Sequence, residues 1–340
     1  MEQNTRLVQL RNNGKRRVAL VDEPNLILLA DVNSIYELAS IALKSETALP
    51  ALVHRLKTPE LVVYDDVYHG NSEWQLLPSF DVPADPFRCL VAGTGLTHKN
   101  SALSRQMMHQ LNLAEPTDSM KMYQWGVENG SPESGRIGVQ PEWFYKGSGE
   151  VLRGHRDPLI VPAFANDGGE EPEIAGIYII DAGGLPHRIG FSCSNEFSDH
   201  IMEKKNYLYL APSKLRSCAI GPELVIDGEF VSITGTVRIY RNQELLWSTA
   251  IKTGEQNMAH SLSNLEYHHF KYSGHRIPGQ GHVHFFGADA FSFGAGYRLE
   301  DADVMEVQWN GMGRALQNTV YVEKSNEKMI VVKPMHGSNQ

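Results

Sequence analysis

From residue 87 onward the chain is cut into short apolar runs by Gly, Pro and Asp turns, and this pattern constrains the fold more than any other feature. Runs of this length bounded by turn residues read as strands. They cover residues 87–91, 142–146, 174–180, 188–193, 222–226, 231–240, 245–250, 282–286, 304–309 and 319–323. Helical periodicity is confined to residues 101–111 and 257–270. The N-terminal stretch has a different texture. Residues 6–10, 17–21 and 26–29 read as strands, with a Val21-Asp22-Glu23-Pro24-Asn25 turn between the last two. Residues 34–45 place Ile35, Leu38, Ile41 and Leu43 at helical spacing, and Asn33 or Ser34 can cap them, with Glu37 placed for a capping box on Ser34. A second helix is expected over 49–56, and the Pro- and Asp-rich residues 78–86 read as a linker. The expectation is an α+β, mostly β protein with a small α+β N-terminal domain over 1–80 and a larger domain over 87–330.

The net charge of -9 argues against broad contact with nucleic acid or an anionic membrane, and no basic run interleaved with aromatics occurs. Cys89, Cys193 and Cys218 form no Cys-x-x-Cys pair, so neither a disulfide framework nor a zinc ribbon is indicated. Residues 1–30 hold no signal-peptide pattern, and no apolar span reaches membrane-crossing length, so a cytoplasmic location is expected.

The most informative string is Asp167-Gly168-Gly169-Glu170-Glu171-Pro172-Glu173-Ile174-Ala175-Gly176-Ile177-Tyr178-Ile179-Ile180. A glycine turn leads into a strand apolar on both faces, and acids open it. Residues i and i+2 of an extended chain face one way, which places Glu171 and Glu173 together. Carboxylates that close raise each other's pKa unless a cation lies between them, and a hard divalent cation with oxygen ligands satisfies that need. The same string also suits a solvated, acid-rich strand end. A second strand, Arg188-Ile189-Gly190-Phe191-Ser192-Cys193, runs into Ser194-Asn195-Glu196, which sets a third acid just past a buried strand. Further on, Pro212-Ser213-Lys214 places a lysine in a turn between apolar runs, where it can neutralise developing negative charge.

Taken together, Glu171, Glu173, Glu196, Lys214 and Ile220-Gly221-Pro222 resemble the pattern of the fumarylacetoacetate hydrolase superfamily. That pattern has a Glu-x-Glu pair opening a strand, a later acid, and a lysine shortly before a Gly-Pro turn. Pro141-Glu142-Trp143-Phe144-Tyr145-Lys146 resembles the segment that precedes the metal strand, and the resemblance spans about residues 87–325. It implies a fumarylacetoacetate-hydrolase-like mixed β-roll or barrel core. It also implies Mg²⁺ or Mn²⁺ held by Glu171, Glu173 and Glu196, and a homodimer. Three departures stand out. The third ligand is usually Asp, and here it is Glu196. Gly287-Ala288-Asp289-Ala290-Phe291 stands in place of a Gly-Thr-Pro segment. Hydrolytic members tend to carry a His with a Glu three residues later, whereas His98 is followed by Ser101.

The segments Gly95-Leu96-Thr97-His98, Ser194-Asn195-Glu196-Phe197-Ser198-Asp199-His200 and Asn206-Tyr207-Leu208-Tyr209-Leu210-Ala211-Pro212-Ser213-Lys214 look like the sugar-acid branch of that superfamily, similar to 2-keto-3-deoxypentonate dehydratases. What this implies is metal-dependent dehydration of 2-keto-3-deoxy-L-arabonate or -D-xylonate to 2,5-dioxopentanoate through a metal-stabilised enolate. Lys214 and His98 are then the expected catalytic groups, and Lys146, Lys214 and Ser213 the substrate contacts. Hydrolysis of a diketo-acid C–C bond is the alternative chemistry, and a non-catalytic sugar-acid-binding protein a second alternative. His282-Val283-His284 is an i, i+2 histidine pair without a matching downstream Glu and His, and is expected to flank the floor of the site. Tyr267-His268-His269 closes the expected helix over 257–270.

Overall fold

The alternating apolar residues near the N-terminus fold into a meander. In this computed structural model, residues 4–109 and 116–335 are described. Strands β1 (Arg6–Asn12), β2 (Lys15–Asp22) and β3 (Asn25–Leu29) pair antiparallel in sequence. Helices α1 (Ile35–Lys44) and α2 (Leu49–Arg55) follow. Ser34 is the N-cap of α1: its Oγ accepts from the Glu37 N–H at 3.1 Å, while the Glu37 carboxylate accepts from Asn33 N–H at 2.8 Å. A cap of this kind is worth ~1 kcal/mol. Strand β4 (Lys57–Val63) then joins β3, and α3 (Tyr64–His69) follows it. The sequence pattern does not show β4. It is an edge strand with mostly exposed side chains and Pro59 within it, so it lacks an alternating buried face. A two-residue strand, β5 (Gln75–Leu76), pairs with β1.

Residues 78–86, expected as a linker, are packed instead. Phe80 and Val82 are buried in the same apolar cluster as Leu38 of α1, and Gln9 Nε2 donates to the Pro78 carbonyl and to Asp81. Apolar side chains two apart on this segment dock it to the sheet, which Pro and Asp content alone does not reveal.

The remainder supplies β6 (Cys89–Gly93), α4 (Lys99–His109), α5 (Asp118–Asn129), β7 (Phe144–Ser148), β8 (Leu152–Arg153), β9 (Leu159–Val161), β10 (Pro172–Ile180) and β11 (Pro186–Asn195). After these come α6 (His200–Lys205), α7 (Leu210–Lys214), β12 (Cys218–Val225), β13 (Ile233–Arg241), β14 (Glu244–Thr253), α8 (Leu262–Phe270), β15 (Gly281–Phe285), β16 (Val304–Trp309) and β17 (Leu316–Val322). The large sheet runs β4-β3-β2-β1-β12-β11-β10-β15-β6-β7, and the small one β14-β13-β16-β17-β9. Because β1 pairs with β12, the N-terminal meander continues the sheet that carries the acidic strands. One apolar layer fills the space between α1, α2 and the large sheet; a second, with Ile174, Phe191, Val237, Met305 and Trp309, lies between the sheets. Strand β10 is therefore buried on both faces, as its unbroken apolar run predicts.

The three cysteines are buried and free. Residues 110 and 111 of the expected helix over 101–111 lie outside the described residues. Helix α5 has no counterpart in the sequence reading: it buries only Ser119, Met120 and Gly126, too few for a visible apolar stripe. Among the described residues no helix is long and apolar enough to cross a membrane.

Candidate metal and substrate site

The β10–β11 hairpin builds the acidic site. Its register pairs Pro172 with Asn195 and Glu173 with Ser194. One step further, Glu171 and Glu196 stand opposite each other, and the Glu196 N–H donates to the Glu171 carbonyl at 3.0 Å. Glu171, Glu173 and Glu196 are all buried, and each offers a carboxylate oxygen within 4.8 Å of the others. Antiparallel pairing thus explains why acids so far apart in sequence meet.

Two lysines face these acids. Lys214, at the end of α7, places Nζ 2.9 Å from Glu171 Oε1, 2.8 Å from Glu196 Oε2 and 3.1 Å from Glu203. Lys146 on β7 donates to Glu196 Oε1 at 2.6 Å and to the Phe197 carbonyl at 2.9 Å. Phe144 and Lys146, two apart on β7, both turn inward, and the Phe144 ring lies 4.8 Å from Lys214 Nζ. Glu173 stands apart: it accepts the Gly287 N–H at 2.6 Å and makes no ion pair among the described residues.

The electrostatics follow from these contacts. Burial opposes ionisation of Glu171, yet the Lys214 charge and the hydrogen bonds of Glu196 and His200 hold it well below the usual carboxylate range. Burial, then the charges of Glu196 and Glu171, push Glu173 well above that range. Burial and Glu171 push Glu196 up to about 7, against the pull of Lys146 and Lys214. Lys214 is buried, which disfavours its charge, but three carboxylates raise its pKa well above the ordinary value. It is an ammonium and not a base.

The other expected groups fall differently. Ser213 Oγ donates to Glu203 at 2.9 Å, so its hydroxyl orients the acid beside Lys214. His98 is not in contact with the three carboxylates. Its Nδ1 meets Thr97 Oγ1 at 2.8 Å, its Nε2 meets Thr253 Oγ1 at 3.1 Å, and burial lowers its pKa to about 3.

Four neighbours of the site were not singled out from sequence. His200 Nε2 donates to Glu171 Oε1 at 2.9 Å, and its ring stacks on Phe291 and Phe293. Glu203 of α6 pairs with Lys214. Arg105 of α4 donates to both oxygens of Glu142 at 3.0 Å and reaches Glu203 at 3.1 Å. Tyr207 donates to Glu142 at 2.6 Å. The string Asp199-His200 carries an N-cap signal, with Asp199 Oδ1 accepting from Met202 N–H, but nothing local marks which side chains of this short helix point inward.

No protein-family model matches the chain. No curated protein matches it either. Solved structures do. A structure of 2-keto-3-deoxyarabinonate dehydratase matches at 18% identity and a TM-score of 0.68, over 94% of this chain and 100% of that one. The fold is fumarylacetoacetate-hydrolase-like. A structure of 2-keto-3-deoxy-D-arabinonate dehydratase complexed with magnesium and 2,5-dioxopentanoate matches at 19% identity, with a TM-score of 0.68 and the same coverage. The 5-carboxymethyl-2-hydroxymuconate delta-isomerase from Mycobacterium smegmatis shares this fumarylacetoacetate-hydrolase-like fold at 15% identity and a TM-score of 0.56, again over 94% of this chain.

The donor set suits a hard divalent cation. It consists of oxygens alone, and its three carboxylates face two lysines, one of them shared with Glu203. Glu173, the acid that no lysine touches, is held well above the usual carboxylate range by burial and its two carboxylate neighbours, so a cation there would replace a proton.

Proposed function

We propose that this chain dehydrates a 2-keto-3-deoxy sugar acid, a 2-keto-3-deoxypentonate, to 2,5-dioxopentanoate. The observation that carries this reading is the convergence of Glu171, Glu173 and Glu196 with Lys214 in one buried cluster. The magnesium and 2,5-dioxopentanoate bound by a structural neighbour support it. Glu171, Glu173 and Glu196 would hold Mg²⁺ or Mn²⁺, which supplies Lewis acidity toward the keto and carboxylate oxygens of a 2-keto acid.

The chain's own groups do the rest. Lys214, a buried ammonium, faces the negative charge that builds on the keto oxygen as C3 loses a proton. The C3–C4 double bond forms as the C4 hydroxyl leaves and is protonated to water; proton shifts then convert the C5 alcohol carbon to the aldehyde. His98 is enclosed by two threonines, so proton transfer is assigned to Glu142, a buried carboxylate that Arg105 and Tyr207 orient. Lys146 positions Glu196 and closes the same wall.

The test is to incubate the protein with Mg²⁺ and 2-keto-3-deoxypentonates, with and without a chelator, and to follow 2,5-dioxopentanoate. No chelator-sensitive product with any stereoisomer sinks the reading; cleavage of an acylpyruvate instead would assign the chain to C–C hydrolysis.

A further inference from the structure

Four histidines that this chemistry does not use gather around β15 and α8. His282 and His284 share one face of β15, and α8 with the turn after it brings His269 and His275 against them. The His269 ring stacks on His284 at 4.4 Å between centroids and lies 5.0 Å from His275 and 5.1 Å from His282. His269, His282 and His284 are buried, and no acid among the described residues pairs with them.

The hydrogen bonds fix where the His269 proton sits. An indole N–H only donates, so the Trp143 contact at 3.1 Å makes His269 Nδ1 an acceptor. The neutral His269 ring then carries its proton on Nε2 and donates to His282 Nδ1 at 3.0 Å. His275 Nδ1 donates to the His269 carbonyl at 2.6 Å. With both His269 nitrogens engaged, the cluster is not arranged to ligate a metal. A proton on His269 Nδ1 and the Trp143 contact exclude each other. Burial, then the neighbouring rings of His284, His282 and His275, hold the His269 pKa well below its ordinary value. Lys271, which follows α8, contacts His268 at 3.1 Å.

We propose that His269 is a positioning residue of the active site: by accepting the Trp143 indole N–H it fixes the segment that carries Glu142, Phe144 and Lys146. This rests on the 2-keto-acid reading above. Trp143 is flanked in sequence by Glu142 and by Phe144, whose ring lies against Lys214, while its own ring packs on the imidazoles, 5.4 Å from His275. A second tether runs through His284, whose Nε2 meets Thr94 Oγ1 at 2.7 Å. The next residue, Gly95, lies directly against Glu142: a Cβ there would sit 1.9 Å from Oε1. The imidazole cluster is thus the floor on which the Glu142 segment rests.

The experiment compares His269→Phe, His269→Asn, Trp143→Phe and the Trp143→Phe/His269→Phe double variant of the full chain with Mg²⁺. In His269→Phe, kcat falls about tenfold while KM and the Mg²⁺ Kd stay within about twofold. Asn, which keeps an acceptor near the place of Nδ1, restores most of the loss. The double variant is no worse than either single one, because both break one contact. The Trp143 indole ¹⁵N–¹H resonance, assigned by its absence in Trp143→Phe, shifts in His269→Phe and stays in His269→Asn. An unshifted resonance in His269→Phe, additive losses of kcat, or a wild-type kcat in Trp143→Phe overturns the proposal. The last decides even if His269→Phe does not fold. Absence of turnover in the wild type instead refutes the dehydratase reading, and the resonance still decides whether His269 holds Trp143.

Discussion

Lys214 Nζ lies 2.9 Å from Glu171 Oε1 and 2.8 Å from Glu196 Oε2, so one ammonium bridges the two acids that the β10–β11 hairpin sets opposite each other. The bridge is buried, which makes its members unequal to replacement.

Removing the bridging charge strips a shared buried cation from Glu171, Glu196 and Glu203, which then keep only His200, Lys146 and Arg105 as partners. Lys214→Met is expected to abolish turnover and to cost about 3–5 kcal/mol of stability without added metal. Urea unfolding with and without Mg²⁺ checks it: Mg²⁺ should recover part of the loss, and an unchanged midpoint would refute the bridge's importance.

Glu173 and Glu171 should separate. Burial and repulsion raise the Glu173 pKa, so Gln copies its protonated form and Glu173→Gln should fold normally while losing Mg²⁺ binding. Glu171→Gln removes the partner of both Lys214 and His200, so it should lower the melting temperature as well. Calorimetric Mg²⁺ titration and thermal unfolding of the two variants, side by side, test the distinction.

Protons should leave when the metal arrives. The folded pKa of Glu173 lies above its unfolded value, so its contribution to metal-free stability is present below about pH 4.5 and is lost as pH rises toward the folded pKa. A cation must displace that proton, so Mg²⁺ affinity should increase with pH across the same window. Titration in buffers of different ionisation enthalpy measures the release; an Mg²⁺ affinity that does not rise with pH would contradict it.

The imidazole cluster should make the fold acid-sensitive. His282 and His284 are lowered by burial to about 3, so the unfolded chain binds protons that the folded one does not. Stability is full above about pH 6.5 and falls as pH drops toward 3, by roughly 1–3 kcal/mol for each ring between pH 6.5 and 4. His284→Gln should flatten the slope of the urea midpoint against pH over that range.

Gly95 should admit no side chain. An added Cβ would lie 1.9 Å from Glu142 Oε1, and Arg105 and Tyr207 hold that carboxylate in place. Gly95→Ala is expected to reduce kcat by about 10²-fold with Mg²⁺ affinity intact. Steady-state kinetics and a metal titration on the same preparation decide the point.

Most strands, α1 with its cap, the Glu171/Glu173 pair, Glu196 and Lys214 leave local patterns in the sequence, whereas Lys146 stands out only through the family resemblance. Strand β10 shows as an unbroken apolar run, α1 as helical spacing behind Ser34, and Glu171 and Glu173 as an i, i+2 pair. Elements without a buried stripe leave none. The exposed strand β4 and the polar helix α5 escape for that reason, and the docking of Phe80 and Val82 is hidden inside a turn-rich segment.

The period-two order of β10 and β11 is written in the chain itself, and with it the faces on which the acids stand. Whether those acids meet a cation, and which one, depends on the packing of elements distant in the chain. Lys146, Lys214 and Arg105 come from β7, α7 and α4, and their placement depends on how those elements pack against the hairpin. The same holds for His269, which reads locally as the end of a helix. Its acceptor nitrogen acquires a role only when α8 packs against β15 and presents it to Trp143. Local spacing sets which way a side chain faces, whereas burial and long-range contact set its charge, its proton and its partner.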